Sequence, residues 1–146
     1  MSIDDMLNTH LLRNVRVVDV LLDYEFNDSD EVITACGDLL ELDNSLIRSL
    51  FSRHNRIGSS VGDEFAIVHI DKDMRDKINN NKIVFIRLAN SIPWDNSMVK
   101  CVVGVCSTNK DHSEVMAGIA RVLLNSHNRA FLKMSKDKEE IVEMFL

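Results

Sequence analysis

Apolar runs alternate along this chain with segments in which apolar residues recur at helical spacing. The runs rich in β-branched residues predict four strands, at 15–22, 64–70, 83–89 and 98–106. Helical spacing predicts five helices, at 30–42, 43–54, 112–126, 128–134 and 136–145. Because strands and helices interleave, the pattern indicates an α/β sandwich in which helices cover both faces of a mixed β-sheet.

Polar positions mark where these elements begin. Residues 27–30 and 43–45 are rich in Asp, Asn and Ser and are predicted to cap the first two helices. Asp111 and Glu114 have the spacing of a capping box, and Ser135 is predicted to cap the last helix.

Two segments lack a clear pattern. Residues 71–82 are charged and poor in apolar side chains, which predicts a mobile loop with room for one helical turn. Residues 90–97 hold the only proline, Pro93, and the only tryptophan, Trp94, and are predicted to form a turn that packs on the core. Gly58 and Gly62 bracket a further loop.

The composition narrows the class of protein. A chain of 146 residues with 45% hydrophobic and 27% charged residues is expected to form a single domain over 1–146. A net charge of −6 argues against a nucleic-acid partner, since phosphate backbones attract clustered Lys and Arg. There is no run of about 20 apolar residues and no basic-then-apolar leader, so we expect a cytoplasmic protein without membrane insertion.

The number and spacing of the cysteines favour a structural role for the thiols over a catalytic or metal-binding role. Cys36, Cys101 and Cys106 are odd in number and show no Cys-x-x-Cys spacing, so buried free thiols are expected. The same spacing argues against zinc, and a site built on His69 and His112 lacks a third ligand.

The candidate chemistry lies in two histidines. His69 ends the second predicted strand, and His112 begins a helix after the last strand. Sites in α/β sheets lie beyond the carboxyl ends of strands, and a helix N-terminus favours a phosphate group. Imidazole accepts phosphoryl groups near neutral pH, and Arg53 offers a guanidinium for an anion. His10, His54 and His127 match no such pattern and are interpreted as surface or packing residues.

Two motifs resemble one family. Arg53 lies 16 positions before His69, and Ser59-Ser-Val-Gly62-Asp-Glu-Phe-Ala66-Ile-Val-His69 completes the first motif. This is similar to the phosphoacceptor signature of mannitol/fructose-type enzyme IIA domains of the bacterial sugar phosphotransferase system. The family's second motif, an apolar strand followed by Glu-His, is similar to Val103-Gly-Val-Cys106 with Asp111-His112.

The resemblance implies a phosphoryl relay. His69 would accept a phosphoryl group from the carrier HPr and pass it to an enzyme IIB domain, whose acceptor in this family is a cysteine. His112 would hydrogen-bond to the active histidine or its phosphoryl group, and Arg53 would neutralise phosphoryl charge. No cofactor or metal is implied, and the domain could associate with a membrane enzyme IIC complex without entering the bilayer.

The chain also departs from the family pattern. Val68 replaces a proline, Ile70 replaces a small residue, and His54 replaces a glutamate after the arginine. Ser59-Ser60 replaces Ser-Thr and keeps both hydroxyls. Loss of the proline is expected to loosen the placement of His69, and Ile70 to narrow access to it.

Two other functions stay open at this point. One is a regulatory enzyme IIA-like module, of the nitrogen type or attached to a regulator, whose phosphorylation controls partner binding. The other is a degenerate interaction domain, against which the retention of His69, His112 and Arg53 argues.

Overall fold

The computed structural model describes residues 15–146, which form a five-stranded mixed sheet with helices on both faces. The strands are β1 (Val15–Tyr24), β2 (Ser60–Gly62), β3 (Phe65–His69), β4 (Asn81–Pro93) and β5 (Met98–Cys106). The helices are α1 (Ser29–Leu39), α2 (Asn44–Ile57), α3 (His112–Leu123), α4 (Ser126–Met134) and α5 (Lys138–Met144), with a 3₁₀ helix at Lys72–Lys77. This arrangement confirms the predicted fold class. None of the helices within 15–146 has the length and apolar content to cross a bilayer.

The sheet order brings the ends of two distant strands together. The order is β1-β4-β5-β3-β2, with β1 parallel to β4, β3 parallel to β5, and antiparallel pairs β4–β5 and β2–β3. His69 is paired with Val105 in the β3–β5 register. Because β3 and β5 are parallel neighbours, the segments that follow these two strands lie at the same end of the sheet.

Each face of the sheet has its own apolar core. Helices α1 and α2 cover one face, where alternate residues of β3 (Ala66 and Val68), with Ile70 just beyond it, are buried. Helices α3, α4 and α5 cover the other face, where Phe65 and the alternate residues of β5 are buried. Because side chains alternate along a strand, His69 belongs to the α3 side.

Gly104 lets α1 approach β5 closely. A Cβ atom at this position would lie 2.7 Å from Cγ1 of Val84 and 2.9 Å from Sγ of Cys36. Non-bonded atoms do not approach that closely, so only glycine fits at position 104 while α1 packs this tightly on the sheet.

The four predicted strands are confirmed, but the prediction of a turn over 90–97 is wrong. Strand β4 continues to Pro93, and its register with β5 shifts between Arg87 and Ile92. The turn itself is short, since the N–H of Trp94 donates to the carbonyl of Ser97 at 2.9 Å. Trp94 is buried, as expected.

The charged segment 71–82, which was predicted to be a loop, contains regular secondary structure. Its centre forms the 3₁₀ helix, which is the one turn that the pattern allowed, and its last two residues begin β4. Strand β2 was not predicted, because three residues are too few to show a pattern.

The helix caps agree in part with prediction. Asp28 and Asp43 accept backbone N–H bonds from Glu31 and Leu46, as predicted. The capping box at Asp111 is wrong, because its side chain caps no backbone group. The last helix is capped by Asp137 and not by Ser135.

The three thiols are buried and unbridged, as expected. Burial raises the pKa of Cys36 and Cys101 to about 12, so these thiols stay protonated and unreactive near neutral pH.

Candidate functional site

His69 is held at the end of β3 in one tautomer. Its Nδ1 lies 3.1 Å from the carbonyl oxygen of Ile70. A carbonyl can only accept, so Nδ1 carries the proton and Nε2 keeps a free lone pair. The N–H of Asp71, two residues further along, donates to Oγ of Ser49 in α2 at 2.8 Å, which fixes the backbone after the histidine.

His112 lies close to His69 at the end of the sheet where β3 and β5 finish. It is the first residue of α3, and its ring centroid lies 5.4 Å from that of His69, at an interplanar angle of 52°. Nδ1 of His112 lies 2.7 Å from Oγ of Ser107. The sequence predicted His69 at the end of a strand and His112 at the start of a helix that follows a strand, and the structure brings the two rings together.

The loop that carries His112 is tied to the neighbouring strand. Asn81, at the start of β4, donates from its amide to Asp111 at 2.8 Å and accepts from the N–H of Thr108 at 2.9 Å. The first of these bonds engages one oxygen of the carboxylate that the sequence assigned to a capping box. The N-terminus of α3 has no side-chain cap, and its free N–H groups and the positive end of the helix dipole lie at His112, the first residue of the helix.

Arg53 reaches the site from α2. It lines a cleft of about 140 Å³ together with His69, the 58–61 loop and Met116. Arg53 forms no ion pair within residues 15–146. The acid beside it, Asp71, is held by Arg56 at 2.5 Å. The guanidinium of Arg53 is therefore available to an anion in the cleft.

The surroundings of both histidines favour the neutral imidazole. Burial, followed by the charge of Arg53, lowers the pKa of His69. Burial, followed by the charges of Arg75, His69 and Arg53, lowers the pKa of His112 to about 4. A neutral imidazole with a free nitrogen is a nucleophile, whereas a protonated one is not.

Sequence reasoning missed Arg75. It lies in the 3₁₀ helix that follows β3, and its charge acts on the pKa of both histidines. Nothing in the pattern singled it out, because it is one of many charged residues in a segment without apolar periodicity.

A second missed residue, Asp95, anchors the loop at the cleft. Its carboxylate accepts from the N–H groups of Ser59 and Ser60 at 2.7 and 3.0 Å and from Oγ of Ser60 at 2.7 Å. Nε1 of Trp94 donates to Oγ of Ser59 at 2.6 Å, and Nδ1 of His54 lies 2.7 Å from the same oxygen. The serine pair of the motif thus anchors the loop to the rest of the fold, and His54 is a packing residue, as expected.

The two bulky replacements beside His69 point away from it. Val68 and Ile70 are buried in the α1–α2 core, on the opposite face of the sheet. The expectation that Ile70 narrows access is wrong, because its side chain fills that core while its carbonyl group holds His69.

One further histidine and the candidate metal ligands can be placed in the described part of the chain. His127 is exposed, as expected, and His10 lies outside the described residues. Within 15–146, no group of three or more His, Cys, Asp or Glu side chains has the arrangement of a metal site.

The chain is similar to known proteins over most of its length. The model of the family "Phosphoenolpyruvate-dependent sugar phosphotransferase system, EIIA 2" matches residues 14–146. A mannitol-specific phosphotransferase enzyme IIA component of Staphylococcus aureus is 22% identical over 130 residues, covering 86% of this chain and 90% of that protein.

Two solved structures share the fold. In the complex of enzyme IIAMTL and phosphorylated enzyme IIBMTL from Escherichia coli, the similar chain has a TM-score of 0.78 at 15% identity, and the match covers 86% of this chain and 92% of that one. The nitrogen regulatory protein IIA-Ntr from Neisseria meningitidis has a TM-score of 0.78 at 19% identity, and the match covers 94% of this chain and 99% of that one. Since the family model spans nearly the whole chain, this protein belongs to the EIIA 2 family of the phosphoenolpyruvate-dependent sugar phosphotransferase system.

Proposed function

We propose that this protein is a phosphoryl carrier that accepts a phosphoryl group from phosphorylated HPr on Nε2 of His69. It then passes the group to an enzyme IIB domain during sugar uptake. The observation that carries the proposal is the hydrogen bond between Nδ1 of His69 and the carbonyl of Ile70, which leaves Nε2 free. We take the whole chain, 1–146, as one such domain.

The transfer is a direct displacement at phosphorus. The lone pair on Nε2 of His69 forms a bond to phosphorus as the P–N bond to the donor imidazole breaks, and the bonding electron pair stays on the donor nitrogen. The proton on Nδ1 remains in its bond to Ile70 throughout, so no external base is needed. Because the donor is already activated, the protein has only to position the group and stabilise its charge.

Three groups supply that charge stabilisation. Arg53 faces the cleft without an ion pair in the described part of the chain. His112 has Nδ1 engaged by Ser107, which leaves Nε2 to hydrogen-bond to the phosphoryl group or to His69. The uncapped N-terminus of α3 adds backbone donors.

The second half of the relay is transfer to a thiolate. Attack by an enzyme IIB cysteine on phosphorus returns the electron pair of the P–N bond to Nε2 and regenerates neutral His69. The fold shared with enzyme IIAMTL of Escherichia coli, which was solved in complex with phosphorylated enzyme IIBMTL, supports a partner of this kind. We place the protein in the cytoplasm, where it would work beside a membrane enzyme IIC component.

A second candidate is a regulatory enzyme IIA-like module. It is supported by the fold similarity to the nitrogen regulatory protein from Neisseria meningitidis, which extends over 94% of this chain. The same phosphorylation of His69 would then control partner binding and would not feed transport.

The test is to incubate the protein with phosphorylated HPr and measure its intact mass. Wild type should gain one acid-labile phosphoryl group, and His69→Ala should gain none. The His127→Ala variant, at an exposed histidine away from the site, is the matched control and should behave as wild type. Absence of transfer to folded wild type would contradict the proposal and favour a degenerate interaction domain. Adding enzyme IIB separates transport from regulation, since only a carrier passes the group rapidly to a cysteine.

A further inference from the structure

Arg75 presents a buried donor that has no partner. Its Nε atom is shielded from solvent and forms no hydrogen bond within residues 15–146. A buried donor without a partner is costly, and native structures keep such groups mainly where a ligand or water completes them.

Arg75 follows His69 closely in the chain. The 3₁₀ helix that carries it begins three residues after His69, and the backbone between them is fixed by the bond from Asp71 to Ser49. The charge of Arg75 lowers the pKa of both His69 and His112, whose ring centroids lie 5.4 Å apart. Arg75 is therefore close enough to both rings for its charge to act on them.

Arg53 and Arg75 both act on His69, together with a nearby acid, Asp71, which acts in the opposite direction. Each lowers the pKa of His69, and the charge of Arg53, after burial, also lowers the pKa of Arg75. Asp71 is committed to Arg56 at 2.5 Å. Two like charges held together at a cost are the arrangement expected where an anion will enter.

We propose that Arg75 is a second phosphoryl-binding residue, whose guanidinium contacts the oxygens of a phosphoryl group on His69 alongside that of Arg53. This rests on the proposed function for the identity of the phosphoryl-bearing residue. A dianionic phosphoryl group would supply the acceptor that Nε lacks and would relieve the repulsion between the two guanidinium groups.

The test uses inorganic phosphate and phosphoramidate, and so does not depend on HPr or any protein partner. The variants are Arg75→Gln, Arg75→Lys and the control Lys77→Gln, which removes the same charge from an exposed position of the same 3₁₀ helix. Phosphate affinity is measured from the ring signals of His69 and His112 by NMR, whose amide dispersion also reports whether each variant is folded.

Arg75→Gln should weaken phosphate binding at least about tenfold and raise the pKa of His112, because a hydrogen bond to a charged group and a neighbouring cation are both lost. Arg75→Lys should keep the low pKa of His112 and bind phosphate with intermediate affinity. Lys77→Gln should match wild type. The phosphohistidine formed with phosphoramidate should be hydrolysed at a different rate in Arg75→Gln than in wild type.

Equal phosphate affinity in wild type and Arg75→Gln, or no phosphate binding by wild type, would overturn the proposal. Loss of transfer from HPr with phosphate binding still dependent on Arg75 would instead count against the proposed function alone.

Discussion

Replacing Asp23 by Asn should destabilise the protein because it strips a buried arginine of its counter-ion. Arg87 is only 1% exposed, and its Nε and Nη2 donate to the two oxygens of Asp23 at 2.9 and 3.2 Å. Its Nη1 donates to the carbonyl of Leu132 at 3.1 Å, so the same side chain ties β4 to α4. Asp23 has a positive φ of 63°, which Asn tolerates, so the substitution changes charge and not backbone preference.

The expected cost follows from burial. Removing one partner of a fully buried pair costs about 3–5 kcal/mol. The side chain of Asp23 is 37% exposed, so water replaces part of what is lost, and we expect a fall of about 2 kcal/mol in the free energy of unfolding. For a chain of this length, that corresponds to a decrease of about 7 °C in melting temperature.

The assay is urea denaturation followed by circular dichroism, from pH 7 down to pH 3. Hydrogen bonds from Arg87 and then Lys136 lower the pKa of Asp23. A lowered pKa gives stability that is present above the unfolded-state pKa, about 3.9, and is lost as the pH falls toward the folded-state pKa. The difference between wild type and Asp23→Asn should thus be constant from pH 7 to 5 and shrink below about pH 4.

Asp63→Asn is the matched control, since Asp63 also has a positive φ and accepts from two basic side chains, Arg129 and Lys133. All three groups are partly exposed, so the loss should stay below about 1 kcal/mol. Equal losses in the two variants, or a loss in Asp23→Asn that does not diminish in acid, would refute the assignment of the cost to a buried guanidinium.

Three further predictions concern packing, the loop and the histidine. Gly104→Ala should lower the free energy of unfolding by about 1–3 kcal/mol in urea denaturation, because the new methyl group meets Val84 and Cys36; an unchanged value would show that α1 yields without cost. Asp95→Ala should reduce the rate of phosphoryl acceptance by about 10–100-fold, since the loop at the cleft loses three hydrogen bonds, while Asn96→Ala beside it should leave the rate unchanged. The ring of His69 should titrate below pH 6.5 in NMR, because burial and Arg53 lower its pKa, and the rate of acceptance should stay flat from about pH 8 to 7; a rate already halved at pH 7 would contradict a neutral His69.

The features that could be predicted from the sequence are those that depend on residues close together in the chain. Continuous apolar runs are typical of strands covered on both faces, and both sheet faces here are indeed covered. Asp28 and Asp43 cap their helices because the side chain and the N–H that it accepts lie three residues apart. The places of His69 at the end of a strand and of His112 at the start of a helix could also be predicted, but the spacing along the chain did not show that the two rings meet.

The features that could not be predicted depend on contacts between distant segments. Asp95 lies 36 positions from Ser59, and its three bonds to the serine pair have no signature in either segment. Strand β4 regains its pairing with β5 at Ile92 after the register shift and ends at Pro93, so the proline is the last residue of the strand and not the start of a turn. The Nε atom of Arg75 is shielded from solvent in the folded protein, and no local pattern of charge distinguishes Arg75 from Lys72 or Lys77.

The most direct measurement is to identify the phosphorylated nitrogen. Protein labelled with ¹⁵N at histidine is phosphorylated by HPr, and long-range ¹H–¹⁵N correlations assign phosphorus to a ring atom. A single phosphoryl group on Nε2 of His69, with Nδ1 still protonated, is the expected result, because Nδ1 is bound to the carbonyl of Ile70. Phosphorylation of Nδ1, or of another residue, would contradict the assignment of His69 Nε2 as the acceptor.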